Sequence, residues 1–219
     1  MNVTEIFEGV YKIEGKLATK NLAPGTKVYD EELKKINNIE YRLWNPYRSK
    51  LAAAIINGLS ALDIKTNSSV LYLGASTGTT ASHVSDIVWE HGNVYCIEIS
   101  KRSMRDLLSV CEKRQNMLPV FEDARNYANY SDDIGTVDVI YQDVAAPDQD
   151  KILLLNSSML KSGGSAYVAI KSQSINISKD PKIVFEEFIQ SISKTFKVVQ
   201  RIKIEPFDKM HLFLHLKKI

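Results

Sequence analysis

The sequence predicts an α/β fold: a mostly parallel sheet with helices on both faces, preceded by a small N-terminal β domain. Three observations carry this. From Val70 onward, short apolar runs rich in strand formers alternate with helical patterns. The last two apolar runs are joined too closely for a crossover, so one of them must run antiparallel. The segment up to about Glu40 instead alternates apolar and polar side chains between glycine and proline turns. The 219 residues suffice for one medium domain and a small appendage, divided at 1–45 and 46–219.

The elements follow in order. Phe7, Val10, Tyr11, Ile13 and Leu17, punctuated by Gly9, Gly15 and Pro24-Gly25, read as short antiparallel strands. This unit is either a cap on the core domain or a docking surface. Residues 41–50 interleave aromatics with bases, a pattern that contacts phosphates and stacks on nucleobases. Trp44 is expected in the core, and Arg42, Arg48 and Lys50 at a functional surface. A helix follows from Leu51, with Ser49 or Asn45 as its cap. Val70–Leu73 is a strand, 74–78 a small-residue turn, and Thr79–Trp89 a helix. Asn93–Ile97 is a strand, and Lys101–Arg114 a helix capped by Ser100. Met117–Phe121 and Val137–Gln142 are strands, and Lys151–Leu160 is a helix stopped by Gly163-Gly164. Ala166–Ile170 is a strand, Pro181–Phe196 an amphipathic helix, and Val198–Ile204 with Leu212–Leu216 the closing pair.

The turn Gly74-Ala75-Ser76-Thr77-Gly78, with Thr79 and Thr80 opening the helix, forms a site for an adenosine-containing ligand. Its glycines admit close backbone approach, and the helix start offers unpaired N–H groups. Glu98 ends the next strand about 20 residues on, where an acid can hold both ribose hydroxyls. In parallel sheets ligands sit beyond the carboxyl ends of the strands, which here carry Gly74, Glu98, Asp123, Asp143 and Lys171. Asp123-Ala124 either receives the adenine or caps the segment after it. Asp143 and Lys171 form an ion pair or carry chemistry. A buried pair is costly without a task, which favours the second.

Other classes fare worse. The turn is literally G-x-S-x-G, the elbow of serine hydrolases, but too little α/β chain precedes it and no oxyanion loop lies upstream. A nicotinamide dehydrogenase leaves the strand-end charges idle. A non-catalytic scaffold on a nucleotide fold remains the alternative to an enzyme. Cys96 and Cys111 have no metal spacing and are expected as free thiols, and no metal site is expected. No apolar run is long enough to span a bilayer, and the first residues lack a signal-peptide order. A net charge of only +2 implies that, if RNA is the substrate, partners do much of the holding.

Four runs resemble the fibrillarin family: residues 41–55, beginning Tyr41-Arg42-Leu43-Trp44-Asn45-Pro46; residues 70–88, around the turn; Glu122-Asp123-Ala124-Arg125; and Asp143-Val144-Ala145-Ala146-Pro147-Asp148-Gln149. The resemblance extends from about Phe7 to the C-terminus. It implies a Rossmann-like methyltransferase core, with a seven-stranded sheet whose last strand is antiparallel. It also implies an S-adenosyl-L-methionine-dependent RNA 2′-O-methyltransferase, the catalytic subunit of a box C/D guide-RNA ribonucleoprotein acting on rRNA and possibly tRNA. Implied partners are the guide RNA, a Nop-domain scaffold protein and a ribosomal-type kink-turn-binding protein. No glycine- and arginine-rich tail is seen, so the chain resembles the archaeal, cytoplasmic form.

Carried over by residue, the family's catalytic set falls on Lys50, Asp143, Lys171 and His211. The cofactor is expected at residues 74–80, Glu98, Ile99, Asp123, Ala124, Asp143 and Gln149, and RNA at Arg42 and Arg48 of the run that interleaves bases with aromatics. Ser76-Thr77 stands where the family more often has Ala-Ser, and Ile99 where an aromatic is common; both changes are expected to weaken cofactor affinity. Lys171 either takes the 2′-hydroxyl proton as a neutral amine or stays charged and stabilises the developing alkoxide. Burial and the neighbouring cation Lys50 favour the first and Asp143 opposes it. His211 either orients one of these groups or is a surface histidine. His83 and His91 are read as structural.

Overall fold

The chain, described over residues 2–219 by a computed structural model, lays down two sheets in succession. The first is antiparallel. It comprises β1 (Val3–Phe7), β2 (Val10–Ile13), β3 (Lys16–Lys20), β4 (Leu33–Ile36) and β5 (Ile39–Leu43), in the order β1-β2-β3-β5-β4. Its side chains divide with the strand period of two. Val10 and Leu17 join the main core beside Trp44, while Ile13, Ala18, Tyr41 and Leu43 pack on the other face. Trp44 is buried, as its place in the sequence suggested.

The second sheet follows helix α1 (Lys50–Ile56), whose N-cap is Ser49. It is built from β6 (Ser69–Leu73), α2 (Thr79–Val88), β7 (Asn93–Glu98), α3 (Lys101–Cys111), β8 (Met117–Phe121), the single turn α4 (Ser131–Ile134), β9 (Val137–Gln142) and α5 (Gln149–Asn156). It continues through β10 (Leu160–Lys171), α6 (Ser172–Ile175), α7 (Pro181–Ile192), β11 (Phe196–Lys203) and β12 (His211–Lys218). The seven strands lie in the order β11-β12-β10-β9-β6-β7-β8. β12 runs antiparallel between β10 and β11, and the remaining pairs are parallel. Val70 and Tyr72 of β6 enter the cluster under α1 and α2, and Leu71 and Leu73 the cluster under α5 and α7. Each such burial is worth about 1.5–3 kcal/mol. Among the described residues, no helix is long and apolar enough to cross a membrane.

Several element boundaries differ from expectation. Gly163-Gly164 does not stop a helix; it lies inside β10, which starts at Leu160. There Leu160 pairs with Val137 and Ser165 with Val139, so β10 carries a bulge that Gly163 accommodates at φ +69°. The preceding helix ends earlier, at Asn156, whose amide is drawn to the Ala124 carbonyl at 2.9 Å. α3 likewise ends at Cys111 rather than Arg114. Arg114 turns inward to pair with Asp86.

The expected RNA contact at Arg42 is corrected by the same seam. Arg42 pairs in register with Thr19 on the inner face of the first sheet, against α2. It is 0% exposed. Its Nε donates to Glu31 Oε1 at 2.7 Å, Nη1 to Asp86 Oδ2 at 2.9 Å and Nη2 to Ser82 Oγ at 2.9 Å. A buried guanidinium must spend its donors on internal acceptors, and none reaches solvent. His83 lies in the same seam, 2.7 Å from Thr19 Oγ1 and 2.6 Å from Tyr29 OH, stacked on Trp44. Burial and the Arg42 and Arg114 charges hold its imidazole neutral, well below its ordinary range. His91, by contrast, is exposed.

Candidate active site

The carboxyl ends of β6, β7, β9 and β10 open onto two adjoining clefts. The larger, about 470 Å³, is lined by Gly74, Ser76, Glu98, Ile99, Asp123, Ala124, Arg125, Asp143, Val144 and Lys171 among others. The smaller, about 290 Å³, is lined by Arg48, Lys50, Tyr72, residues 74–77, Thr79, Thr80, Asp143 and Lys171. Gly74, Ser76, Asp143 and Lys171 belong to both, so they form the wall between them.

The turn after β6 makes this wall thin. Gly74 has φ +81°, and a Cβ there would stand 3.1 Å from the Asp143 backbone. Its N–H and that of Ala75 both reach the Ile97 carbonyl. Gly78, also left-handed, is the N-cap of α2 and lines neither cleft; a Cβ there would press Leu107 at 3.0 Å. Thr79 and Thr80, in the first turn of α2, face the smaller cleft.

Glu98 ends β7 at the rim of the larger cleft. Its Oε2 accepts the Ser76 N–H and its Oε1 the Ser100 N–H, both at 2.7 Å. One carboxylate therefore fixes both flanking loops, and each oxygen retains a lone pair for a ligand. Ile99 beside it is 59% exposed, an uncovered apolar wall. Across the cleft, Asp123 Oδ1 accepts the Arg125 N–H at 2.9 Å, so it does close its local turn. Arg125 had no role in the sequence reading. Its guanidinium joins Asp123 at 3.1 Å to Asp148 at 2.6 Å and ties the β8 and β9 loops together.

At the wall, cations and carboxylates alternate. Lys171 Nζ lies 2.6 Å from the Asp143 carbonyl oxygen and 2.9 Å from Asp143 Oδ1. Lys50, at the start of α1, stands 3.2 Å from both carboxylate oxygens of Asp143. The proximity of Oδ1 to two ammonium groups is Coulombic rather than directional, because this buried oxygen has no aligned hydrogen-bond donor. Lys50 also lies 3.7 Å from Asp208 Oδ2, and Asp208 Oδ1 is 2.8 Å from His211 Nδ1. Asp208 was missed; its only signal was its place three residues before His211. His211 lies opposite Lys171 in the β10–β12 register, yet it lines neither cleft.

Gln149 takes another place in this geometry. Gln149, expected at the cofactor, is 0% exposed and lines neither cleft. Its amide is consumed by the backbone of Ala146 and Lys171. The hydrolase reading of Ser76 lacks its base: no histidine among the described residues hydrogen-bonds this serine.

A model of the family described as Fibrillarin matches residues 1–218. The chain belongs to the fibrillarin family. Fibrillarin-like rRNA/tRNA 2′-O-methyltransferase of Methanocaldococcus jannaschii is 47% identical over 97% of this chain and 95% of its own length. The Aeropyrum pernix fibrillarin structure with natively bound S-adenosyl-L-methionine superposes with a TM-score of 0.88 at 39% identity, covering 98% of this chain and 99% of that one. The fibrillarin in a fibrillarin/Nop5p complex superposes with a TM-score of 0.89 at 34% identity, covering 99% and 100%. Within this family frame the seven-stranded sheet with its antiparallel β12, and the N-terminal antiparallel sheet, are the fold the sequence predicted.

Proposed function

We propose that this chain methylates ribose 2′-oxygens of rRNA and tRNA, using S-adenosyl-L-methionine, as the catalytic subunit of a guide-RNA ribonucleoprotein. The observation that carries this is the Lys50–Asp143–Lys171 row on the wall shared by two clefts. The larger cleft suits the adenosine: Glu98 for the ribose, Asp123-Ala124 for the base, Ile99 against its face. The carboxylates of Glu98, Asp123 and Asp143 around the larger cleft, with the exposed apolar face of Ile99, fit a cationic adenosine-containing ligand. When bound, the cofactor supplies an electrophilic methyl group on a sulfonium.

The chain's own residues then do three things. Asp143 supplies negative charge beside the site of the methyl group and holds both amines. Lys171 meets the 2′-hydroxyl, and either takes its proton as a neutral amine or donates to the developing alkoxide as an ammonium. Lys50 lies on the other side of Asp143 and adds positive charge for that oxygen, with His211 orienting the row through Asp208. Arg48, exposed at the smaller cleft, is placed to meet an RNA phosphate. A net charge of only +2 supports a division of labour in which guide RNA and protein partners do much of the holding of the target.

A Nop-domain scaffold is the first such partner, by kinship with the fibrillarin/Nop5p complex. A kink-turn-binding protein and the box C/D guide complete the assembly, which works in the cytoplasm. Segment 1–45 serves as a cap on residues 46–219, because its inner face is tied to α2 through Arg42, Asp86 and His83. Calorimetric titration with S-adenosyl-L-methionine, followed by a tritiated-methyl assay with guide and partners, tests the reading. Cofactor binding without methyl transfer would leave only the scaffold alternative.

A further inference from the structure

In a strand, the N–H and C=O of one residue point to the same edge, and a neighbouring strand must meet them. β10 has β9 on one edge and β12 on the other, but the β9 pairing stops at Val168↔Gln142. The chain leaving β9 turns away: the Asp143 N–H goes to Leu73 of β6. Lys171 therefore ends β10 with no strand beside its β9 edge.

A side chain fills that place. Lys171 N–H donates to Gln149 Oε1 at 3.2 Å, and Gln149 Nε2 donates back to the Lys171 carbonyl at 3.3 Å. The same Nε2 donates to Ala146 O at 3.0 Å, in the loop after Asp143. Gln142, the last residue of β9, anchors the arrangement by donating its Nε2 to the Gln149 carbonyl at 2.8 Å. All of Gln149 and Gln142 is withdrawn from solvent.

We infer that Gln149 is a positioning residue: its side-chain amide acts as a surrogate peptide that continues the β ladder and fixes the main chain under Lys171. With the Lys171 main chain held by Gln149 and its Nζ held by Asp143, the amine is set at both ends. A shift of the main chain would carry the amine with it, and about 1 Å of misplacement costs on the order of 10²-fold in rate. The inference rests on the methyltransferase reading above.

The test uses the full chain assembled with its guide RNA and protein partners, under single turnover at saturating S-adenosyl-L-methionine. Gln149→Leu keeps the volume and removes the amide. It should slow methyl transfer on the order of 10²-fold while the calorimetric affinity for the cofactor is unchanged. Gln149→Glu keeps the acceptor for the Lys171 N–H, and regains a donor for the two carbonyls only when protonated. Its rate relative to the unaltered chain should therefore rise as the pH falls, and this readout stands even where the leucine variant does not fold. A Gln149→Leu rate equal to that of the unaltered chain would overturn the inference. So would a loss of cofactor affinity matching the loss of rate, or a pH-independent ratio for Gln149→Glu. Absence of transfer by the unaltered assembly would instead overturn the methyltransferase reading.

Discussion

Arg42→Met separates a structural arginine from an RNA contact. The change keeps most of the side-chain volume and removes the guanidinium. Glu31 then loses the only ion-pair partner it has among the described residues, while Asp86 keeps Arg114 and the Thr19 hydroxyl. Breaking a buried pair by deleting one partner costs ~3–5 kcal/mol. Because Asp86 stays partnered, the lower end applies, about 3 kcal/mol. For a chain of 219 residues each kcal/mol moves the midpoint by about 2–4 °C, so melting should fall by roughly 6–12 °C. Circular dichroism melts of the purified chain measure this, with Arg48→Met as the exposed control, expected near the parent. The gap should also depend on pH. Burial raises the Glu31 carboxyl, but the Arg42 charge and the Tyr29 and Val28 amides outweigh it and hold it below the ordinary range. A carboxyl depressed in the folded state stabilises fully above its unfolded value, near 4.5, and that stability is lost as the pH falls through its folded value. The melting gap should therefore be full at neutral pH and narrow in acid. An Arg42→Met chain that melts like the parent, but transfers methyl poorly, would refute the burial argument and restore Arg42 to the RNA.

Four other outcomes are expected. Lys171→Ala should abolish methyl transfer in the assembled complex, by ~10²–10⁴-fold or more, with calorimetric cofactor binding nearly intact. Glu98→Ala removes the acceptor of two loop amides and the proposed ribose contact, so cofactor affinity should fall by at least about 10-fold, some 1.4 kcal/mol. Gly74→Ala forces a Cβ to 3.1 Å from the Asp143 backbone at a left-handed φ, so both melting temperature and cofactor affinity should drop. His83 is held neutral in the fold, so it contributes stability above its unfolded value near 6.5 that is lost as the pH falls below it, by at most about 1.4 kcal/mol per pH unit. Urea unfolding at pH 7 and pH 5 should show this slope, and His83→Asn should remove that share of it.

The sequence by itself determined what is local or periodic. The strand–turn–helix at Val70–Val88, the acid at the tip of β7 and the charged strand ends follow from spacing along the chain, because strand and helix periods fix which residue ends where. It also determined that one of the two closing strands runs backwards, since their link is too short for a crossover. Tertiary structure decided what depends on distant neighbours. Arg42 looked like a surface base because nothing nearby in sequence announces Asp86, 44 residues away, as its partner. Lys50 meets Asp143 across 93 residues, and the neighbouring Asp208 joins the row only where the β11–β12 link folds back over α1. Gln149 carried the right kind of motif for a ligand contact, yet its amide answers a vacancy in the sheet that exists only because the β9 pairing ends at Val168, three residues before Lys171. Hydrogen-bond satisfaction and charge burial are set by the finished packing, and a single chain read in order cannot count acceptors that arrive from elsewhere.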